Sequence, residues 1–468
     1  MNGKFVIAGL FLLGTALIVA AGRGTLWFDE LLSLQWARSA QHPWHILELY
    51  RHDNNHPLNT LWLMLAGEDR HPWIYRGLSM VSGLVVLVLV WIAARRLSQQ
   101  FAWVPLLLAA TSFPLVLYAS EARGYAPALA CLLGAWLLVS AQKTGGEVWR
   151  VPLFWLLCLG ALFSHGTSVV ILAALGVYFL IDRHDRGETP ARLAARAALW
   201  FGVPSVVSAV YWFFFLRLMM IAGGPEYSLP QVLGHFFGYA FGVPGAGSGP
   251  WSFAMVGFLL VAAALVWGRF PDRATRVFFV CAITVCPALS LLATDTTYLY
   301  FRYFLVSLPF VYLLAAPVAD AFRSSAPVWK MAAGFLLAAV VAGQIPRLAA
   351  LIGQERGDYA AALTRIASEP AAGRKIVSNT EMQVGFLLAH LKRSEPHLDS
   401  LILVPQARAA EEVADWIVYA SQEDPPAVPQ ESLELHDHIY RAVSVHRSAP
   451  VSGSHWTVYR RAPASAQK

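Results

Sequence analysis

Long runs of apolar residues alternate with short polar gaps along the first 345 residues of the chain. Many of these runs approach the length of about 20 residues that an α-helix needs to cross a bilayer. The pattern therefore predicts an all-α polytopic membrane domain with about 11 transmembrane helices. The predicted spans lie near residues 4–22, 74–94, 101–118, 125–142, 151–164, 167–182, 198–216, 251–268, 276–293, 303–321 and 328–345.

The pattern changes beyond residue 345, where shorter segments with mixed periodicity follow one another. Short runs typical of strands occur in "RKIVSN", "LDSLILVP", "IYRAVSVHR" and "HWTVYRR". Helical spacing occurs in "GDYAAALTRIASE" and "EEVADWIVYA". We therefore predict two domains, a membrane domain over residues 1–345 and a small α/β domain over 346–468, and nothing in the second resembles a catalytic motif.

Composition and charge support a membrane protein. The 468-residue chain is 57% hydrophobic and only 14% charged, whereas soluble domains carry about 25% charged residues. Lysine and arginine fill every second gap, so the net charge of +6 is a topology signal and does not indicate nucleic-acid binding. The N-terminus should be cytoplasmic, and both the loop at 23–73 and the C-terminal domain extracytoplasmic. The first run is predicted to stay in the membrane, with a cleaved signal peptide as the alternative.

Polar residues concentrate on the predicted outer side, above all in the loop at 23–73. Asp29 and Glu30 stand at the start of "DELLSLQWARSA", whose apolar spacing is typical of a helix lying on the membrane surface. A helix N-terminus favours negative charge, so Asp29 is expected to stay ionised. Further along, "RHDNNHPLNTLWLML" predicts a polar turn and then a helix that begins at Pro57.

Four groups of residues resemble the GT-C membrane glycosyltransferases. They are "WFDELLSLQWA", "DNNHPL" followed by "RGLSMVSGL", "YASEARGYAPAL" and "RYFLVSLPFVYLLAA". In order and spacing they are similar to the branch containing the protein O-mannosyltransferases and the transferases that add aminoarabinose or galacturonic acid to lipid A. Where several members have "KPP", this chain has His56, Pro57 and Leu58. The permanent positive charge is missing there, so this position alone is not expected to hold a phosphate.

The resemblance implies an enzyme that moves a sugar from a polyprenyl-phosphate donor to an acceptor at the outer face of the membrane. The acceptor is an envelope lipid, a glycan or a protein, and neither the acceptor nor the sugar can be named from the sequence. The composition, with "PARLAARA" and few lysines, suggests a bacterial chain and hence the inner membrane. The alternatives are a polytopic transporter and a non-catalytic scaffold for envelope polysaccharide.

The chemistry of such a transfer indicates which residues to look for. The acceptor hydroxyl or amine needs a base, and we predict Asp29 for this role because it resembles the essential acid of the family. Glu30 is its rival or assistant, since neighbours on a helix point about 100° apart and only one can face a cavity. Direct attack with a single base should invert the anomeric configuration.

A departing phosphate needs cations and hydrogen-bond donors. The candidates for donor-phosphate binding are Arg302, Tyr303, Arg123 and His56, and those for substrate binding are Asn55, Glu121, Tyr125 and His165. Each has a structural alternative, such as interfacial anchoring for Arg302 or a salt bridge between Arg123 and Glu121. No cofactor is predicted. A divalent metal held by Asp53, His56 and His165 remains a minor alternative, because "HDNNHP" resembles a turn.

Overall fold

The structure is a computed structural model, and it divides the chain into two compact units. The helical unit comprises Met1–Gly22, Ala40–Leu65 and Tyr75–Ile345, and the α/β unit comprises Arg23–Ser39, Ala66–Ile74 and Pro346–Lys468. The structure describes residues 3–141, 147–221, 226–243, 254, 257, 261, 264, 266–292, 299–369, 373–409, 411–422 and 428–463. Most of the predicted span at 251–268 lies outside the described residues.

Helices dominate the chain up to residue 353. Those up to residue 241 are α1 (Gly3–Ala21), α2 (Phe28–Ser39), α3 (His45–Glu48), α4 (Pro57–Ala66), α5 (Pro72–Leu97), α6 (Trp103–Thr111), α7 (Phe113–Ala119), α8 (Tyr125–Ser140), α9 (Glu147–Ser164), α10 (Ser168–Asp185), α11 (Pro190–Phe214) and α12 (Leu229–Phe241). Later helices are Arg273–Val280, Cys286–Leu292, Leu308–Leu313, Ala315–Phe322 and Pro327–Gly353.

Six helical segments in the described part of the chain are long and apolar enough to cross a membrane. They are Lys4–Ala21, Pro72–Leu97, Pro190–Leu218, Arg273–Leu292, Phe301–Phe322 and Pro327–Gly353. Shorter apolar helices occur at Pro57–Ala66, Tyr125–Ser140 and Trp149–Ser164. The predicted all-α polytopic architecture is confirmed, and the number of about 11 spans stays a prediction.

Several predicted spans are not continuous α-helices. The span predicted at 101–118 breaks at Ser112, between α6 and α7, and the one at 276–293 contains a π-helical segment at Cys281–Val285. A break frees backbone groups that an apolar environment cannot satisfy. At the first break the side chain of Gln344 satisfies one of these groups, because its Oε1 accepts the backbone N–H of Phe113 at 3.0 Å.

The segment at 221–250, which is rich in glycine, proline and aromatic residues, joins the predicted spans at 198–216 and 251–268. In its described part the chain forms α12, which begins with a capping box in which Ser228 and Gln231 satisfy each other's backbone N–H groups. The helix ends at Gly242 in the left-handed region, with φ of 70°. The many glycine, proline and aromatic residues of this segment obscure the helical spacing of its apolar positions.

The α/β unit contains a six-stranded mixed sheet. Its strands are β1 (Lys375–Ser378), β2 (Ile402–Leu403), β3 (Trp416–Ser421), β4 (Ser432–Leu435), β5 (His438–His446) and β6 (His455–Arg461). The spatial order is β2-β1-β3-β6-β5-β4, with β1 parallel to β2 and β3 and the remaining pairs antiparallel. Helices Tyr359–Ser368, Glu381–Ser394 and α2 belong to the same unit. The predicted small C-terminal α/β fold is confirmed.

One element of this unit was predicted wrongly. The segment "EEVADWIVYA" was expected to be helical, but residues 416–421 form β3, third in the sheet order. Trp416, Ile417 and Val418 are consecutive and all buried. A strand covered on both faces loses its alternation and becomes a short apolar run, which periodicity alone cannot separate from a buried helix.

Candidate active site

The buried polar residues of the helical unit gather where three connections between helices come together. The first connection precedes α4, the second joins α7 to α8, and the third joins α9 to α10. These connections carry buried polar side chains at Asn54, Asn55, His56, Glu121, Arg123, Ser164 and His165. Five of these seven are residues that the sequence singled out as phosphate- or substrate-binding.

A glycine allows the second and third connections to touch through their main chains. A Cβ atom at Gly124 would overlap the carbonyl oxygen of Ser164. No other residue fits this position without moving the backbone. The same connection is held from α4, where Asn59 Nδ2 donates to the carbonyl oxygen of Ala122 at 2.6 Å. The flanking side chains are therefore presented from a fixed backbone.

Four predicted site residues form one cluster of rings and charge. The imidazoles of His56 and His165 stack with centroids 5.1 Å apart and an interplanar angle of 28°. The ring of Tyr125 lies 4.5 Å from His165 and 5.1 Å from His56. The guanidinium carbon of Arg123 lies 5.1 Å from the centroid of Tyr125, a cation–π geometry.

Both histidines of the cluster are neutral. Burial, and then the positive charge of Arg123, lowers the pKa of His56 well below its ordinary value. The same two causes, in the same order, lower the pKa of His165 to about 3. His56 Nδ1 lies 3.1 Å from the carbonyl oxygen of Ser164, so Nδ1 carries the proton. His56 Nε2 is buried without a hydrogen-bond partner among the described residues, and it offers a ligand a lone pair, not a positive charge.

We expect this cluster to make the folded protein less stable on acidification. His165 binds a proton near pH 6.5 when unfolded and at about pH 3 when folded. Between these values the unfolded state binds more protons than the folded state. The free energy of unfolding therefore decreases as the pH is lowered, by up to about 1.4 kcal/mol per pH unit. Thermal unfolding of the purified protein at pH 7, 6 and 5 should show the loss, and His165→Gln should flatten it.

Comparing each variant with wild type at the same pH removes the contributions of other histidines. His71→Gln, which replaces an exposed imidazole, is the matched control for the substitution itself. A His165→Gln curve parallel to wild type would show that this imidazole does not titrate on unfolding.

A second cluster of polar side chains surrounds the carboxylate of Asp53, which was predicted only as a possible metal ligand. Asp53 has a side chain 8% exposed, and its Oδ2 lies 3.8 Å from Arg302 Nη2. The same oxygen accepts the hydroxyl of Tyr303 at 3.2 Å. Its Oδ1 lies 2.9 Å from His52 Nδ1.

Asp53 is ionised at neutral pH. Burial alone would raise the pKa of its carboxyl group, but the hydrogen bond with His52 and the positive charges of Arg302 and Arg123 outweigh that effect. The pKa is therefore lowered below its ordinary value. An ionised Asp53 holds one end of the Arg302 guanidinium, which is the geometry of a positioned phosphate-binding group.

Arg302 and Tyr303 come from a 3₁₀ segment, Phe301–Ser307. The guanidinium carbon of Arg302 lies 4.5 Å from the centroid of Tyr300. Tyr300 in turn lies edge-on to Tyr227, with centroids 6.1 Å apart. The contact between Tyr227 and Tyr300 was not predicted, because the two residues are far apart in sequence and each resembles an ordinary interfacial tyrosine.

Two of the predicted substrate-binding residues, Asn55 and Glu121, are buried in the connections between helices. Asn55 Nδ2 donates to the carbonyl oxygens of Ile46 and Tyr50 at 2.6 and 2.8 Å. Its Oδ1 accepts the hydroxyl of Thr60 at 2.9 Å, so the amide holds the connection before α4. Glu121 is fully buried on the same connection as Arg123. Their substrate roles stay predictions.

Asp29 and Glu30 belong to the α/β unit, in the first turn of α2 as predicted. Glu30 is 1% exposed, and its Oε2 accepts the backbone N–H of Trp27 at 3.2 Å. This bond caps the helix, which is a structural task for Glu30. Asp29 is partly exposed. The two neighbouring carboxylates thus lie in different surroundings, as the 100° rotation between them requires.

The predicted minor alternative was a metal held by Asp53, His56 and His165. Within the described ranges, no group of three or more His, Cys, Asp or Glu side chains is arranged to hold a metal ion. The two histidines instead stack on each other, and Asp53 pairs with Arg302.

The chain resembles known membrane enzymes in structure. Two crystal structures of ArnT from Cupriavidus metallidurans align over 97% of this chain and 97% of theirs. The apo structure has a TM-score of 0.52 at 13% identity, and the one bound to undecaprenyl phosphate 0.50 at 14% identity. An oligosaccharyltransferase from Archaeoglobus fulgidus, in complex with Zn and sulfate, has a TM-score of 0.47 at 12% identity over 89% of this chain and 68% of that one. No family model and no curated protein sequence matches this chain.

The alignment with ArnT, an enzyme of the GT-C superfamily, extends over nearly the full length of both chains. The predicted resemblance to GT-C proteins is thereby confirmed at the level of fold. At 13–14% identity the likeness establishes fold alone.

Proposed function

We propose that this chain, which has the fold of a GT-C membrane glycosyltransferase, transfers a sugar from a polyprenyl-phosphate donor to an envelope acceptor. The observation that carries the proposal is the pair of buried polar clusters in the helical unit. They present two guanidinium groups, from Arg123 and Arg302, among neutral imidazoles and tyrosines. A planar guanidinium group can bind two phosphate oxygens through parallel hydrogen bonds. The ArnT structure bound to undecaprenyl phosphate supports the same class of donor.

The proposed reaction is a single displacement at the anomeric carbon. The acceptor oxygen or nitrogen forms a bond to that carbon while the bond from the carbon to the phosphate oxygen breaks. The electron pair leaves with polyprenyl phosphate, whose growing charge is stabilised by Arg302 and Arg123. The acceptor proton passes to Asp29, the proposed base. One displacement inverts the configuration, and no sugar-linked enzyme intermediate forms.

Asp53 positions Arg302 and Tyr303, two of the proposed phosphate-binding residues, in this scheme. Asp53 accepts the Tyr303 hydroxyl and lies beside the Arg302 guanidinium, so one carboxylate orients both groups. The acceptor is a lipid, glycan or protein at the outer face of a bacterial inner membrane, with the C-terminal α/β domain on the same side. The proposal covers any sugar carried on a polyprenyl phosphate.

The test is a transfer assay with the full chain in lipid nanodiscs. Polyprenyl-phosphate sugars and the matching nucleotide sugars are offered separately with lipid and peptide acceptors, and products are followed by mass spectrometry. We expect a glycosylated acceptor and free polyprenyl phosphate only from the lipid-linked donors. Sealed vesicles provide the contrasting outcome. If the chain moves an intact lipid-linked glycan across the membrane without joining it to an acceptor, transport replaces transfer.

A further inference from the structure

A groove in the helical unit lies apart from the candidate active site. It has a volume of about 620 Å³ and runs between α5, α8 and α9. Its walls are apolar, with Val85 and Leu89 from α5, Leu138 from α8 and Leu153 from α9. A small-molecule site typically occupies about 300–1,000 Å³. The groove is therefore large enough for a ligand, and its walls suit a hydrocarbon.

The groove has one basic end. Arg96, in the last turn of α5, donates from Nη1 to the carbonyl oxygen of Leu137 at 2.8 Å and to Ser140 Oγ at 2.6 Å. These bonds place Arg96 at the C-terminal end of α8. Arg150 lines the same groove from the first turns of α9, with its guanidinium carbon 5.4 Å from the centroid of Trp149. Two guanidinium groups and an interfacial tryptophan thus mark this end.

The other end of the groove lies deep along α5. Val81 and Arg96 both line it and are 15 residues apart, which is about 22 Å along an α-helix. One leaflet of a bilayer is about 20–22 Å thick including its headgroups, and about 15 Å of this is hydrocarbon. A groove of this length, apolar along its walls and basic at its mouth, has the dimensions of an extended acyl chain below a phosphate.

The basic end is also remote from the candidate active site. Arg123 and Tyr125 lie at the N-terminal end of α8, whereas Ser140, the partner of Arg96, ends that helix. The separation along α8 is about 22 Å. One phosphate cannot occupy both places, so this groove is distinct from the proposed donor site.

We propose that the groove binds one anionic phospholipid of the bilayer, with an acyl chain along the apolar walls and the phosphate at Arg96 and Arg150. Charge selects an anionic lipid, because basic pockets between transmembrane helices attract acidic headgroups. Arg96 uses one of its terminal nitrogens for Leu137 and Ser140, and a guanidinium has five N–H donors. The inference does not depend on the proposed transfer activity.

The experiment is native mass spectrometry of the full, delipidated chain titrated with phosphatidylglycerol or with phosphatidylcholine of the same acyl chains. We expect one saturable site for phosphatidylglycerol and none for phosphatidylcholine over the same range. Removing one arginine should weaken binding about fivefold, and Arg96→Gln with Arg150→Gln about 25-fold. Gly134→Leu, which adds a side chain inside the groove, should remove the site.

Arg95→Gln is the matched control, because Arg95 is the neighbouring arginine of α5 but lies over Trp91 and does not line the groove. It should bind phosphatidylglycerol like wild type. Since Arg96 also bonds to α8, its loss can unfold the protein, and the single variant Arg150→Gln keeps the test decisive. Equal binding of both lipids, or unchanged binding by Arg150→Gln, would overturn the proposal. So would displacement of phosphatidylglycerol by undecaprenyl phosphate at equal concentration, which would make the groove part of the donor site.

Discussion

Replacing Asp29 by asparagine should reduce sugar transfer by about 100- to 10,000-fold, the usual contribution of a positioned base. Asparagine has the same shape but cannot accept the acceptor's proton. Folding should be little affected, because Asp29 is partly exposed in the first turn of α2, where a negative charge is worth about 0.3–1 kcal/mol. The measurement is the initial rate of transfer by purified protein, with thermal unfolding recorded on the same sample.

Two control variants separate the loss of a catalytic base from the loss of a negative charge in the first turn of a helix. Glu381→Gln removes a first-turn acid from another helix of the α/β unit and should leave the rate unchanged. Glu30→Gln keeps an oxygen that can accept the N–H of Trp27, so the cap survives and the rate should fall far less than with Asp29→Asn. Equal losses from both α2 variants would assign the base to the pair. An Asp29→Asn protein with wild-type rates would remove Asp29 from the mechanism.

Arg302→Gln should impair both the binding of polyprenyl phosphate and the stability of the fold. Losing a preorganised charge at a transition state costs about 100- to 1,000-fold in rate. The substitution also leaves the buried Asp53 carboxylate without the guanidinium beside it. This should lower the free energy of unfolding by about 1–3 kcal/mol. The initial rate of transfer, the binding of undecaprenyl phosphate and thermal unfolding measure these effects separately.

A double variant distinguishes the two roles of Arg302. Adding Asp53→Asn to Arg302→Gln removes the uncompensated carboxylate, so stability should return toward wild type while phosphate binding stays lost. Arg269→Gln, which breaks the half-exposed pair with Asp320, is the control for a surface arginine and should change neither quantity. If the double variant binds the lipid normally, Arg302 stabilises the fold without contacting the donor.

Local signals predicted the elements that are fixed by local rules. The proline at position 57 marked a helix start, and α4 begins there. The segment "HWTVYRR", predicted to be a strand, coincides with β6 residue for residue. By contrast, β3 is buried by elements that come before and after it in the chain. Its apolar residues therefore do not alternate with polar ones, and periodicity could not identify it as a strand.

The candidate site was predictable as a set of residue types and not as an arrangement. Arg123, Tyr125, His56 and His165 were each singled out, and the structure brings them together. Their protonation could not be predicted, because the pKa of each histidine depends on burial and on an arginine from another connection. The pairing of Asp53 with the Tyr303 segment joins residues 250 positions apart. Nothing local marks such a pair.

The contact of Gly124 with Ser164 limits how this protein can adapt. The two connections abut through main-chain atoms, so no exchange of side chains can widen or narrow the gap between them. For the proposed transfer, acceptance of a bulkier sugar would have to come from changes elsewhere, such as in the Phe301–Ser307 segment or at Tyr300 beside it. Efforts to redirect the donor preference by directed evolution should begin there.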